Sequence, residues 1–177
     1  MKRILYILLL LSLSSCEIEL EEMYLTRNEY LSDILRIDGY YYDKEADTKR
    51  IKLRYLFYKN GVSYYDSDSS YYDSFTELEE YIKSSNKSNI FQKYAFGWGI
   101  FNVMDSTILI EEYFQSALNK KLTAIFSGKI LNDTTFTLNE RYKLDQNGDK
   151  YDLYEFDATY HFRQYSSKPD STNNYIK

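Results

Sequence analysis

The sequence predicts an all-β fold: an eight-stranded antiparallel meander barrel with one or two short helices. Three observations carry this expectation. Eight segments rich in Tyr, Phe, Ile and Thr follow one another, separated by short polar turns. The last of them alternates strictly, with Tyr154, Phe156, Ala158, Tyr160 and Phe162 on one side and Glu155, Asp157, Thr159, His161 and Arg163 on the other, the period of a strand with one buried face. The 177 residues include 21 tyrosines against one proline and six glycines, and Tyr favours half-buried strand positions, with an apolar ring and a polar tip.

The elements follow in order. "TRNEYLSDIL" predicts a short helix, with Thr26 and Glu29 as a capping box and Tyr30, Leu31, Ile34 and Leu35 on one face. "LRIDGYYYD" is the first strand. "IKLRYLFY" and "VSYYD" are joined by Asn60-Gly61, which predicts a type I′ hairpin because both turn positions then need positive φ. "DSFTELEEYIKS" breaks the strand pattern: Ser74 and Glu77 form a second capping box, and Phe75, Leu78 and Ile82 make an apolar stripe for a helix packed across the domain. Strands resume at "AFGWGIFNV", "TILIEEYFQ", "LTAIFSGKIL", "TFTLNERYKL" and "LYEFDATYHF". Asp105-Ser106, Asn119-Lys120, Asn132-Asp133 and "DQNGDK" separate them. Neighbours linked this tightly are antiparallel, and eight of them close naturally into a barrel, which removes exposed edges. An open sandwich of two antiparallel sheets satisfies the same pattern.

The N-terminus answers a different question. Lys2 and Arg3 precede an apolar run from Ile4 to Leu13, too short for the roughly 20 residues of a spanning helix, so it reads as a secretory leader. The run ends at Leu13-Ser14-Ser15-Cys16, which resembles the lipobox of bacterial lipoproteins. That resemblance implies cleavage before Cys16, lipid on its thiol and amine (palmitate-type acylation), and attachment to a membrane, the outer membrane of the cell envelope. Two or three acyl chains anchor stably where one does not. Glu17, Glu19, Glu21 and Glu22 follow. They resemble the acidic stretch that marks some lipoproteins for the cell surface, and read equally as a solvated spacer. The expected organisation is a leader over 1–15, an acidic tether over 16–25, a barrel domain over 26–165 and a polar tail over 166–177.

An anchored N-terminus, eight meandering strands and an accompanying helix resemble lipocalin-like lipoproteins. Gly39-Tyr40-Tyr41 is similar to the G-x-W motif of lipocalins, with Tyr41 at the Trp position, and Arg163 is similar to the family's Arg that packs on that Trp. The resemblance implies a barrel holding a small apolar or amphipathic ligand. The candidate lining residues on the presumed inner surface are Tyr55, Phe57, Trp98, Phe136, Leu138, Tyr154, Phe156, Tyr160 and Phe162, and binding there is expected to quench Trp98 fluorescence. The rival reading is an interaction lipoprotein whose barrel is filled by its own side chains. It would bind glycans or protein partners through Tyr-rich loops, foremost the cluster Tyr64, Tyr65, Tyr71 and Tyr72.

Other chemistry has little to stand on. Without residues 1–15 the chain carries 20 basic and 27 acidic residues, a net charge of −7, and shows no basic patch for nucleic acid. His161 is the only histidine, on the polar side of its strand, where water is expected. No nucleophile elbow or phosphate loop is present, and no enzyme, cofactor or metal is expected. Glu111 and Glu112 are adjacent in a strand and so point to opposite faces. Asp145, Asn147, Asp149 and Glu155 lack the spacing of a calcium loop and fit a hairpin turn. Asp105-Ser106-Thr107, Asp133-Thr134-Thr135 and Asp170-Ser171-Thr172 resemble a short O-glycosylation motif and are equally ordinary turn chemistry.

Overall fold

The structure, a computed structural model, describes residues 20–44, 47–115 and 121–177. The elements are β1 (Gly39–Lys44), β2 (Ile51–Phe57), β3 (Val62–Tyr65), α1 (Phe75–Lys87), α2 (Ile90–Lys93), β4 (Trp98–Met104), β5 (Thr107–Gln115), β6 (Lys121–Asn132), β7 (Thr135–Leu144) and β8 (Lys150–Gln164). The strands pair in sequence order and β8 returns to β1, so the sheet closes into an antiparallel barrel. Closure, not the open sandwich, is the outcome.

Alternation divides the apolar side chains into two clusters. One runs inside the barrel and takes residues from every strand, among them Tyr41, Tyr55, Phe57, Tyr65, Phe101, Ile110, Ile130, Phe136 and Tyr160. The other lies outside, where Tyr40, Leu53, Leu56, Tyr64, Trp98 and Ile100 are covered by Leu78 and Ile82 of α1 and Phe91 of α2. The predicted capping box starts α1. The Glu77 N–H donates to Ser74 Oγ at 3.3 Å, and Glu77 Oε2 accepts the Asp73 N–H at 3.1 Å.

Two local expectations are corrected. Residues 26–35 are not a helix. Their backbone bonds to the barrel instead: the Tyr30 N–H reaches Lys59 O at 2.7 Å and the Arg36 N–H reaches Asp133 O at 2.8 Å. Buried Tyr30 and Leu35 cap one barrel end, the Leu35 N–H donating to the Tyr30 hydroxyl at 2.7 Å while that hydroxyl donates to Leu35 O at 2.9 Å. Burying this face against a barrel outweighs the weak helix propensity of a short segment. The β2–β3 hairpin forms, but only Gly61 has positive φ (78°), and its N–H bonds Tyr58 O at 3.0 Å. This is the three-residue loop in which a turn is followed by a left-handed glycine. A Cβ at Gly61 would stand 2.1 Å from Asn28 O, so the N-terminal cap also needs that glycine.

The flanking segments belong to the domain. Along the outside of β5, Glu111 accepts the Tyr24 and Leu25 N–H groups at 3.0 and 2.7 Å, and the Tyr113 hydroxyl donates to Glu21 O at 3.0 Å. Residues 20–25, read as the end of a tether, are thus laid against the barrel. In the C-terminal segment, Lys168 Nζ donates to Phe57 O at 2.7 Å and to Ile37 O, tying the capped end shut. Burial pushes this ammonium down to about 8.

The lipocalin-type pairing of Tyr41 with Arg163 is absent. Tyr41 is inside, its hydroxyl donating to Arg36 O at 2.9 Å, whereas Arg163 is outside, 2.7 Å from Glu79 of α1 and over the Phe75 ring. Arg163 is thus on the outward side as expected, partly exposed while paired with Glu79, and His161 beside it is half-buried against the Tyr42 ring.

Candidate functional site at the open end of the barrel

The barrel interior is filled at one end and hollow at the other. At the capped end Phe57, Phe101, Phe136, Ile108, Ile110 and Leu138 are all 1% exposed or less, and Phe57 packs on the Phe101 and Phe136 rings at 4.6 and 5.7 Å. At the other end, where β5 and β7 finish and β6 and β8 begin, lies a cavity of about 230 Å3 lined by Tyr55, Tyr65, Glu112, Phe126, Arg141, Tyr154, Phe156 and Tyr160.

Register explains the hollow. Ser63 opposes Gly99, Gly99 opposes Glu112, and Glu112 opposes Ala124, so one row across four strands carries three small residues and a single carboxylate. The next row toward the capped end has Phe101, Ile110 and Phe126 instead. Gly99 has no substitute: a Cβ there would stand 2.2 Å from Glu111 O. A bulge re-aims a further side chain. Tyr41 faces Tyr55 and Tyr42 faces Leu53, which leaves Arg54 as the extra residue. Its guanidinium reaches Asp43 at 2.6 Å and donates to the Tyr65 hydroxyl at 3.0 Å.

Glu112 is the chemical centre of this cup. It is 4% exposed, and its Oε2 has no hydrogen-bond partner among the described residues. Burial pushes its carboxyl up to about 8, although the nearby Arg141 and Arg54 charges act the other way. The two arginines are engaged elsewhere, Arg54 with Asp43 and Arg141 with Asp152 at 3.4 Å and with the Phe114 ring at 4.9 Å. Aromatic side chains line the cavity together with Glu112. Tyr55 meets Tyr160 edge-on at 5.3 Å and Tyr65 at 5.1 Å, while Tyr154 stacks on Phe156 at 6.1 Å and Phe126 meets Phe156 edge-on at 6.3 Å. Burial raises the hydroxyls of Tyr55, Tyr65 and Tyr160, which keeps them protonated as donors.

Of the residues expected to line a ligand site, Tyr55, Tyr154, Phe156 and Tyr160 do so. Phe57, Phe136 and Leu138 are inside but belong to the packed half, as does Phe162, which lies between Tyr41 and the Arg36 guanidinium. Trp98 is a correction. It is outside the barrel, fully buried between Tyr58, Tyr64 and the helical segment, with Nε1 donating to Phe91 O at 2.6 Å. A ligand in the cup would not touch it, so quenching of its fluorescence is no longer expected.

Cys16 lies outside the described residues. The tyrosine cluster is dispersed: Tyr64 packs outside on Phe91, Tyr65 faces the cup, Tyr71 lies under Arg50 and Lys52, and Tyr72 bridges to Ile51. Asp145 accepts the Asn147 and Asp149 N–H groups, as a hairpin turn requires. Among the described residues no group of three or more His, Cys, Asp or Glu could hold a metal ion.

Sequence reasoning missed Tyr65, Glu112, Phe126 and Arg141. One signal was present for Glu112, which shares parity with Ile108 and Ile110 in a strand and so had to share their buried face.

Clefts of about 440 and 310 Å3 follow residues 20–25 along the outside of the barrel. They are seams between segments, whereas the cup is built by the strands themselves around an unsatisfied carboxylate. No family model, no curated protein and no solved structure matches the chain.

Proposed function

We propose that this chain is a binding protein of the cell envelope that takes one small ligand, apolar in body and polar at one end, in the open end of its barrel. The observation that carries this reading is the aromatic-walled cavity above Glu112. An eight-stranded barrel can be filled or can hold one small ligand, and here the two conditions divide the lumen. The mixture of ring faces with a few placed polar groups is that of a ligand site. The volume of about 230 Å3 falls below the usual range for drug-sized ligands, so the ligand is compact, and a long acyl chain has nowhere to extend into the packed half. Calorimetric titration with small aromatic and aliphatic compounds of each charge type is expected to give saturable binding. That binding should be weakened by Tyr154→Ala at the rim and unchanged by substitution of Tyr71. Absence of saturation with every class would leave the interaction-protein reading.

The anchor part of the proposal rests on Leu13-Ser14-Ser15-Cys16. Among the described residues no helix is long and apolar enough to cross a membrane. Mass spectrometry of membrane-extracted protein is expected to show acyl chains on an N-terminal Cys16, and Cys16→Ser to abolish them. An unacylated Cys16 on membrane-bound protein would remove the anchor.

A further inference from the structure

We propose that the cup selects a small primary amine in its ammonium form, with the nitrogen on Glu112 and the apolar body against Tyr55, Phe156 and Tyr160. This rests on the cup being a ligand site and adds the chemistry of the ligand. Three observations converge. First, Glu112 Oε2 is buried and lacks a partner. A buried carboxyl oxygen left unsatisfied is costly, and once Glu112 is ionised the group that completes it must be a donor. Second, the walls are aromatic. Ring faces carry negative potential, attract cations within about 6 Å and repel anions. Third, the two arginines that flank the carboxyl already have acidic partners. Arg54 is held by Asp43 and Arg141 by Asp152, while Glu112 has no ion-pair partner among the described residues. An anionic ligand would meet that carboxylate and the ring faces together, and a quaternary ammonium has no N–H for Oε2. A primary ammonium supplies donors and charge at once.

Binding of the ammonium requires Glu112 to be ionised. The free carboxyl is protonated below about 8, so uptake at pH 7 releases a proton from Glu112. The alkylammonium itself stays charged, as a lysine does up to about 10.4. The other titratable or charged groups facing the carboxyl are Arg54, Arg141, Tyr55, Tyr65 and Tyr160, with Asp43 and Asp152 behind the arginines. Asp66, a second raised carboxyl, accepts from Tyr81 outside the cup.

The test is calorimetry on the full chain in neutral detergent. The probes are phenethylamine, phenethyl alcohol, phenylacetate and trimethylphenethylammonium, at pH 6, 7 and 8.5 and in buffers of different ionisation enthalpy. Phenethylamine is expected to bind best, to tighten about tenfold from pH 6 to 7, and to release protons at pH 7. Glu112→Gln should weaken it by about ten- to a hundredfold and remove the pH dependence. Tyr154→Ala, at an exposed rim position whose loss leaves the core intact, should weaken it several-fold and tests the same site independently of how the Gln variant folds. Equal or tighter binding of the alcohol, the carboxylate or the quaternary ion overturns the ammonium assignment while leaving the cup as a ligand site. Binding of none of the four overturns both.

Discussion

Phe136→Ala is expected to lower the unfolding free energy by about 3–5 kcal/mol, enough to consume a large part of a small domain's stability. The ring is fully buried at the centre of the packed half. It touches Tyr41 and Tyr160 at 5.0 Å, Phe57 at 5.7 Å and Tyr55 at 5.9 Å, so its removal leaves a void bounded by rings from four other side chains. Those rings are held by strands of a closed sheet and cannot collapse freely into the space, which places the cost in the upper range for core truncations. Phe156→Ala is the internal control. Phe156 shares the inward face but stands half-buried at the rim, and its removal should cost only about 1–2 kcal/mol. Urea denaturation of the two variants measures both. Equal losses would mean that the lumen is not divided into a packed and an open half.

The second expected result is a fall in stability as pH rises from 5 to 8, abolished in large part by Glu112→Gln. The sign follows from proton counts. The folded protein holds the Glu112 proton up to about 8, whereas the unfolded chain releases it near 4.5. Between those values the native state binds more protons, so raising the pH favours unfolding. Each tenfold change in the proton equilibrium is worth 1.36 kcal/mol, so the full effect is on the order of 5 kcal/mol. Asp66, pushed up to about 6 by burial, acts in the same direction over the lower part of the range and remains in the variant. Lys168, lowered to about 8, acts oppositely and only above that pH, so measurements should stop near pH 8. There the Gln variant is expected to exceed the parent by on the order of 3 kcal/mol. Parallel pH profiles for the two proteins would show that Glu112 carries no buried proton.

Much of this architecture was legible along the chain, for a local reason. All eight strands, the capped helix at Ser74 and the inward face of β8 follow from period-two alternation, turn residues and a capping box, each written within a dozen residues. The last strand read correctly because one of its faces is polar. β4 did not, because Trp98 and Ile100 are as apolar as Phe101 and Val103. Its outer face is covered by α1 and α2, and only that long-range packing tells inside from outside. The helix expected over Thr26–Leu35 was lost for a similar reason, since a pattern able to bury one face of a helix can equally cap a barrel, and Lys59 and Asp133 supply the partners that decide it. The cup lies furthest from the sequence. Ser63, Gly99, Glu112 and Ala124 are scattered over four strands, and nothing in their neighbours marks them as a set. Register alone brings three small side chains around one carboxylate, and burial then changes what that carboxylate can do.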